Sequence, residues 1–86
     1  MPEISRFFGI IIYVYFREHN PPHFHAVYGE EEILIELQNL KILKGYLSPR
    51  ALGLVMEWAA MHQNELLHAW EQALNHQIPD KIEPLK

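Results

Sequence analysis

Three imidazoles stand within one short stretch, His19-Asn20-Pro21-Pro22-His23-Phe24-His25, half of the chain's 6 histidines. Imidazole titrates near neutral pH, ligates transition metals and serves readily as a general acid or base. The stretch is therefore where chemistry is to be sought. Two consecutive prolines fix φ at two positions and bias Asn20 and Pro21 toward extended backbone, which predicts a stiff loop behind His19. A stiff loop keeps a site preorganised. His23 and His25 are two apart, so in an extended segment both rings point to one face while Phe24 points to the other.

Two chemistries fit these residues. In the first, His19, His23 and His25 act as catalytic acid-base groups, joined by His62 from further along the chain, with Glu18 as a neighbouring carboxylate. In the second, His19, His23 and His25 ligate a divalent metal such as zinc. With no cysteine in the chain, a metal would rest on imidazole, carboxylate and water. A third reading needs no chemistry: the histidines hydrogen-bond backbone carbonyls and shape a loop that presents a binding surface. Neither His-x-His nor His-x-x-x-His is diagnostic without structural context. No Gly-rich phosphate loop, nucleophile elbow, Cys/His pair or zinc-finger spacing is present, which argues against nucleotide-dependent chemistry.

The scaffold for these residues is small. A length of 86 residues predicts a single domain over residues 1–86 with one core. Its content, 49% hydrophobic and 21% charged, is that of a globular protein. The start, Met1-Pro2-Glu3-Ile4-Ser5-Arg6, lacks the charged and apolar regions of a secretory signal, and the apolar run from Ile10 to Phe16 is too short to cross a bilayer. A cytoplasmic protein without a membrane span is expected. The net charge of -4 and pI near 5.8 speak against broad affinity for nucleic acid, because such binding is driven by neutralising phosphates. A local basic patch from Arg6, Arg17, Lys41, Lys44 and Arg50 stays open.

β-branched and aromatic residues from Ile4 to Phe16 predict two strand segments joined by a bend or bulge at Gly9. Beyond Gly9, Ile10, Ile12, Val14 and Phe16 should meet the core, leaving Ile11, Tyr13, Tyr15 and Arg17 on the other face. That second face, with Glu18 beside it, is a candidate for stacking on and neutralising single-stranded nucleic acid. His23 to Tyr28 reads as a strand, Gly29-Glu30 as a tight turn, Glu31 to Leu37 as a returning strand, and Ile42 to Tyr46 as a short further one. The Glu30-Glu31-Glu32 run reads as a solvated turn.

Ser48-Pro49 is a helix start with a mechanism: the serine hydroxyl accepts an orphan N–H, and proline has none to satisfy. One long amphipathic helix over about 49–76, roughly seven turns at 3.6 residues each, should present Ala51, Leu54, Val55, Trp58, Ala59, His62, Leu66, Ala69, Trp70 and Ala73 on one stripe. His62 would then be aimed at the sheet. The tryptophan indole N–H groups should seek acceptors at the sheet edge. Residues 77–86 should form an extended tail that packs or frays. The sum is an α+β fold: a two-layer domain with an antiparallel sheet of about four strands, within about 4–46, against one long C-terminal helix.

Set against known families, Met1-Pro2-x-Ile4-Ser5-Arg6-Phe7-x-Gly9-Ile10, Tyr15-Phe16, His19-x-Pro21-Pro22-His23-Phe24-His25-Ala26-x-Tyr28-Gly29, Gly45-x-Leu47-x-Pro49-Arg50, Leu54-Val55-x-Glu57-Trp58, His62, Glu65-Leu66 and Ile82-x-Pro84-Leu85 resemble the small bacterial proteins grouped as domain of unknown function 4160. The run His-x-Pro-Pro-His-Phe-His-Ala is the most specific part of the resemblance. Members commonly carry Asp where this chain has Glu18, which keeps the carboxylate. The resemblance implies a gene often paired with a small neighbour of the domain of unknown function 2442 family, an arrangement proposed to be a toxin and antitoxin module. It implies no established reaction.

Three functions therefore stand as expectations. One is a toxin-like protein with histidine-dependent, nuclease-like activity on RNA or another cellular target, partnered by the 2442-type protein as antitoxin. Another is a divalent-metal-binding module using the same histidines. The last is a noncatalytic protein-binding domain.

Overall fold

The computed structural model describes residues 2–16 and 19–86. The fold is α+β: strands β1 (Glu3–Phe7), β2 (Ile10–Tyr13), β3 (His23–Tyr28), β4 (Glu31–Glu36) and β5 (Ile42–Gly45), then helices α1 (Pro49–Met61) and α2 (Gln63–Leu74). The strands form one antiparallel sheet in the order β1-β2-β3-β4-β5. Five strands and two helices stand where the sequence pattern predicts about four strands and one helix, and each difference has a physical cause.

The extra strand arises at Phe8-Gly9. Phe7 pairs with Ile10, leaving a two-residue loop in which Phe8 has φ 49 and Gly9 φ 80. Two positive φ values are the mark of a type I′ hairpin turn, whose usual cue is Asn-Gly rather than Phe-Gly. The chain thus reverses at Gly9 instead of bending. The Gly29-Glu30 turn is as expected, with Tyr28 paired to Glu31 and positive φ at Gly29 alone.

The helix breaks at His62, where φ is -128 and ψ 26. The His62 N–H donates to the Ala59 carbonyl at 3.1 Å, three residues back, and the next helix begins with Leu66 N–H donating to the His62 carbonyl. No proline or glycine lies at the break. What holds it is tertiary: the Gln63 side-chain amide donates to the Leu37 and Gln38 carbonyls at 2.9 and 3.2 Å, tying the first turn of α2 to the end of β4.

One face of the sheet carries Ile10, Ile12, Phe24, Ala26, Ile33 and Ile35, all buried with Val55, Trp58, Ala59 and Leu66 from the helices. Trp58 is the centre of this layer, its ring 5.3 Å from Phe7 and 6.1 Å from Phe24. Phe16, expected in the core, is 39% exposed; β2 ends at Tyr13, so the strand alternation that would have buried Phe16 does not reach it. The tail packs. Pro79 and Ile82 are buried, Ile82 N–H donates to the Ile4 carbonyl at 2.8 Å, and the Trp58 indole N–H donates to the Glu83 carbonyl at 2.8 Å. The indole therefore finds its acceptor on the tail, not at the sheet edge. Among the described residues no helix is long and apolar enough to cross a membrane.

Helix α1 starts where Ser48-Pro49 predicts, but by another bond. The Ser48 hydroxyl caps no helix N–H; it donates to the Glu31 carboxylate at 2.8 and 2.9 Å, as does the Ser48 N–H at 2.8 Å. A carboxylate at a helix N-terminus also faces the positive end of the macrodipole. Glu31 is thus a clamp between sheet and helix rather than part of a solvated turn. Glu31→Gln should lower stability by about 1–3 kcal/mol in urea denaturation. Glu30→Gln, at the exposed turn, should change it by less than about 0.5 kcal/mol; equal effects would mean the clamp carries no weight.

Candidate functional site

Strand pairing sets a second group of residues on the sheet face turned away from Trp58. Tyr13 pairs with His25, His25 with Leu34, and Leu34 with Lys44, while Val27 of the same parity pairs with Glu32. Phe24 and Ala26, between them, point to the core. His23 and His25 therefore share a face, as their spacing predicts. Rings run along it in sequence: Tyr13 to Tyr15 at 6.1 Å, Tyr15 to His25 at 4.1 Å, His25 to His23 at 5.2 Å and His23 to Trp70 of α2 at 5.1 Å. Covered in this way, His23 and His25 are only 6% and 5% exposed.

Each buried imidazole makes a hydrogen bond through Nδ1. His23 donates to the Pro21 carbonyl at 2.8 Å, a group delivered by the Pro21-Pro22 turn, whose Asn20–Pro21 bond is cis. His25 donates to Glu32 Oε2 at 3.0 Å, and the glutamate side chain is 46% exposed. The second bond has chemical meaning. A carboxylate accepting from Nδ1 holds the ring in one tautomer and leaves Nε2 as the acceptor nitrogen. The pair opens on a shallow cleft of about 370 Å³ lined by His25, Glu32, Leu34, Lys44 and Gly45.

Gly45 sets the floor of that cleft. Its φ is 90, and a Cβ there would lie 2.2 Å from the Glu32 carbonyl oxygen, so only glycine lets β5 cross β4 this closely. Lys44 brings a positive charge to the cleft. Arg6, on the same face by its pairing with Ile11, is taken by Glu3 through bonds of 3.0 and 2.8 Å, and that hydrogen bond holds the Glu3 carboxyl below the usual carboxylate range.

The other residues singled out in the sequence are placed differently. His19 is exposed in the loop before β3. His62 is half-buried beside the Trp58 ring at 5.5 Å and bonds through Nδ1 to Glu65. Because Trp58 packs on Phe24, and Phe24 and His25 point opposite ways, His62 lies on the helical side of the sheet and His25 on the other. The two imidazoles are not brought together, because the helix stripe carrying His62 faces the layer that Trp58 fills. Among the described residues no three His, Asp or Glu side chains are disposed to hold a metal ion. His19 is exposed, while His23 and His25 are buried. Arg17 and Glu18 lie outside the described residues.

Sequence reasoning placed neither Glu32 nor Trp70 at the site, and named Lys44 only as part of an open basic patch. Glu32 was within reach: counting outward from the two-residue Gly29-Glu30 turn pairs Tyr28 with Glu31 and Val27 with Glu32, which puts Glu32 on the His25 face. Trp70 stands on the stripe facing the sheet, but nothing in its spacing singles out His23 as its neighbour.

An antiparallel five-stranded sheet packed by two helices, with an imidazole–carboxylate pair on the face turned away from Trp58, is the class that fold and site define. Within it, the chain belongs to the family described as Domain of unknown function (DUF4160), whose model matches residues 9–71. That span holds His19, His23, His25, Glu32, Lys44, His62 and Trp70. No curated protein and no solved structure matches the chain.

Removing the acceptor of His25 tests the geometry directly. In Glu32→Ala the ring nitrogens of His25, followed by nitrogen-15 NMR above the titration range, should shift from a fixed Nδ1-protonated pattern toward the mixture of a free imidazole. An unchanged pattern would show that Glu32 does not set the tautomer.

Proposed function

We propose that the chain is the toxin-like member of a toxin and antitoxin pair and acts on single-stranded RNA at the outer face of its sheet. The observation that carries this reading is the His25–Glu32 pair, with the His25 ring 4.1 Å from Tyr15 and Lys44 lining the cleft it opens on. Tyr13 and Tyr15 offer faces on which bases stack, and Lys44 offers charge for a phosphate. His25 takes the proton of a ribose 2′-hydroxyl as the 2′-oxygen attacks the adjacent phosphorus. The bond from phosphorus to the 5′-oxygen breaks, that oxygen takes a proton from solvent, and a 2′,3′-cyclic phosphate and a 5′-hydroxyl result. Glu32 stabilises the imidazolium formed on the way. A net charge of -4 suits contact with a few nucleotides rather than tracking along a long strand. The antitoxin partner is a small protein of the domain of unknown function 2442 family.

The burial of His23 and His25 favours a second reading, in which the same face binds RNA or a protein partner without cutting. One experiment separates the two. Purified protein is incubated with end-labelled single-stranded RNA, and growth is followed after induced expression. His25→Ala should lower cleavage by about 10²-fold or more and relieve growth arrest, and Glu32→Ala should lower cleavage by roughly 10-fold to 10²-fold. His62→Ala, on the far side of the sheet, should stay within about twofold of wild type. RNA bound but uncut, with arrest unchanged in His25→Ala, would establish the binding reading instead; neither binding nor cutting would sink RNA as the target.

A further inference from the structure

A second cleft lies on the helical side of the sheet, between the tip of the β1–β2 hairpin and the first turns of α1. Its walls are Phe8, Ile10, Tyr28, Ser48, Arg50, Ala51 and Leu54, and its volume is about 420 Å³. That is in the range of small-ligand pockets, roughly 300–1,000 Å³.

Phe8 is the informative residue. It holds φ 49 at the first central position of the turn and is 57% exposed. Left-handed backbone costs a residue with a Cβ about 1–2 kcal/mol, and a ring this exposed recovers little of that through packing. Asparagine or glycine would make the same turn without the strain. Retained strain of this kind clusters at active sites, ligand clamps and switch regions. Lining the same cleft, the Tyr28 ring rests on Gly9, where a Cβ would come 3.4 Å from the ring. Two aromatic rings and Leu54 thus form an apolar slot before any ligand arrives.

Arg50 gives the slot its polarity. It is the one ionisable base among the lining residues and is exposed. The nearby acid, Glu31, is engaged by the Ser48 hydroxyl and N–H. A guanidinium presents a planar fork that matches a carboxylate. We infer that this cleft binds a small ligand joining a flat apolar group to one carboxylate, the apolar part between Phe8 and Tyr28 and the carboxylate on Arg50. The site is separate from the His25 cleft, so its failure would leave the RNA reading untouched.

Phenylacetate is the probe, and phenylacetamide its uncharged counterpart. Titration followed by amide NMR should give saturable shifts at Phe8, Tyr28, Ala51 and Leu54, with phenylacetate bound at least about fivefold more tightly than the amide. Arg50→Gln should abolish that preference. Phe8→Asn, which suits left-handed backbone, should raise the melting temperature by about 2–4 °C and weaken phenylacetate binding roughly fivefold or more. No saturable shift up to about 20 mM, equal affinity for the two probes, or a lower melting temperature in Phe8→Asn would each overturn the inference.

Discussion

Strand β3 cannot turn its side chains to one side, and the rest of the molecule is arranged around that constraint. The pleat sends Phe24 and Ala26 toward Trp58 and the helices, and it sends His23 and His25 the other way. As the middle strand of five, β3 is covered on both edges, so neither set of side chains can escape by fraying. Helix α1 then covers one face. The other is closed by Tyr13, Tyr15 and Trp70, and because this cover is thinner, Glu32 stays half in water while its partner His25 does not.

The same alternation splits the acidic run into separate tasks. Glu31 and Glu32 are neighbours, so one must face α1 and the other the imidazoles. Glu31 receives both donors of Ser48 and fixes where α1 begins; Glu32 receives His25. A shift of one residue in the β3–β4 register would exchange these roles and leave a carboxylate against the apolar layer. The Gly29-Glu30 turn, by fixing that register, thereby sets both the helix start and the imidazole's partner.

Much of this is written locally in the sequence, and what is not depends on distant contacts. The spacing of His23 and His25 and the Gly29-Glu30 turn follow from residue type and short-range geometry; Ser48-Pro49 marks the place of the helix start, but the bond that holds it comes from Glu31 in β4. Phe8-Gly9 was hidden because phenylalanine is a poor signal for a left-handed turn position, and a bend at Gly9 satisfied the same pattern. His62 was hidden because its break is held by Gln63 reaching the Leu37 and Gln38 carbonyls, while a helical wheel run straight through it stays regular. A straight wheel sets His62 and Trp70 on one stripe facing the sheet, whereas the structure seats His62 beside Trp58 and Trp70 against His23.

Burial sharpens the question of why imidazoles cover this face at all. Withdrawing a polar ring from water costs about 1–3 kcal/mol unless it is hydrogen-bonded, and a phenylalanine at either position would cover the sheet without that cost. The Pro21 carbonyl and Glu32 offset it for His23 and His25. The two bonds differ in reach, however. The bond to Pro21 ties His23 to a rigid neighbouring turn, where it shapes the loop. The bond to Glu32 ends on a carboxylate that is 46% exposed, so charge formed on a nearly dry ring has a partner at the edge of water. Under the function proposed above, that boundary sets His25, held in place by Glu32, apart from the more exposed His19.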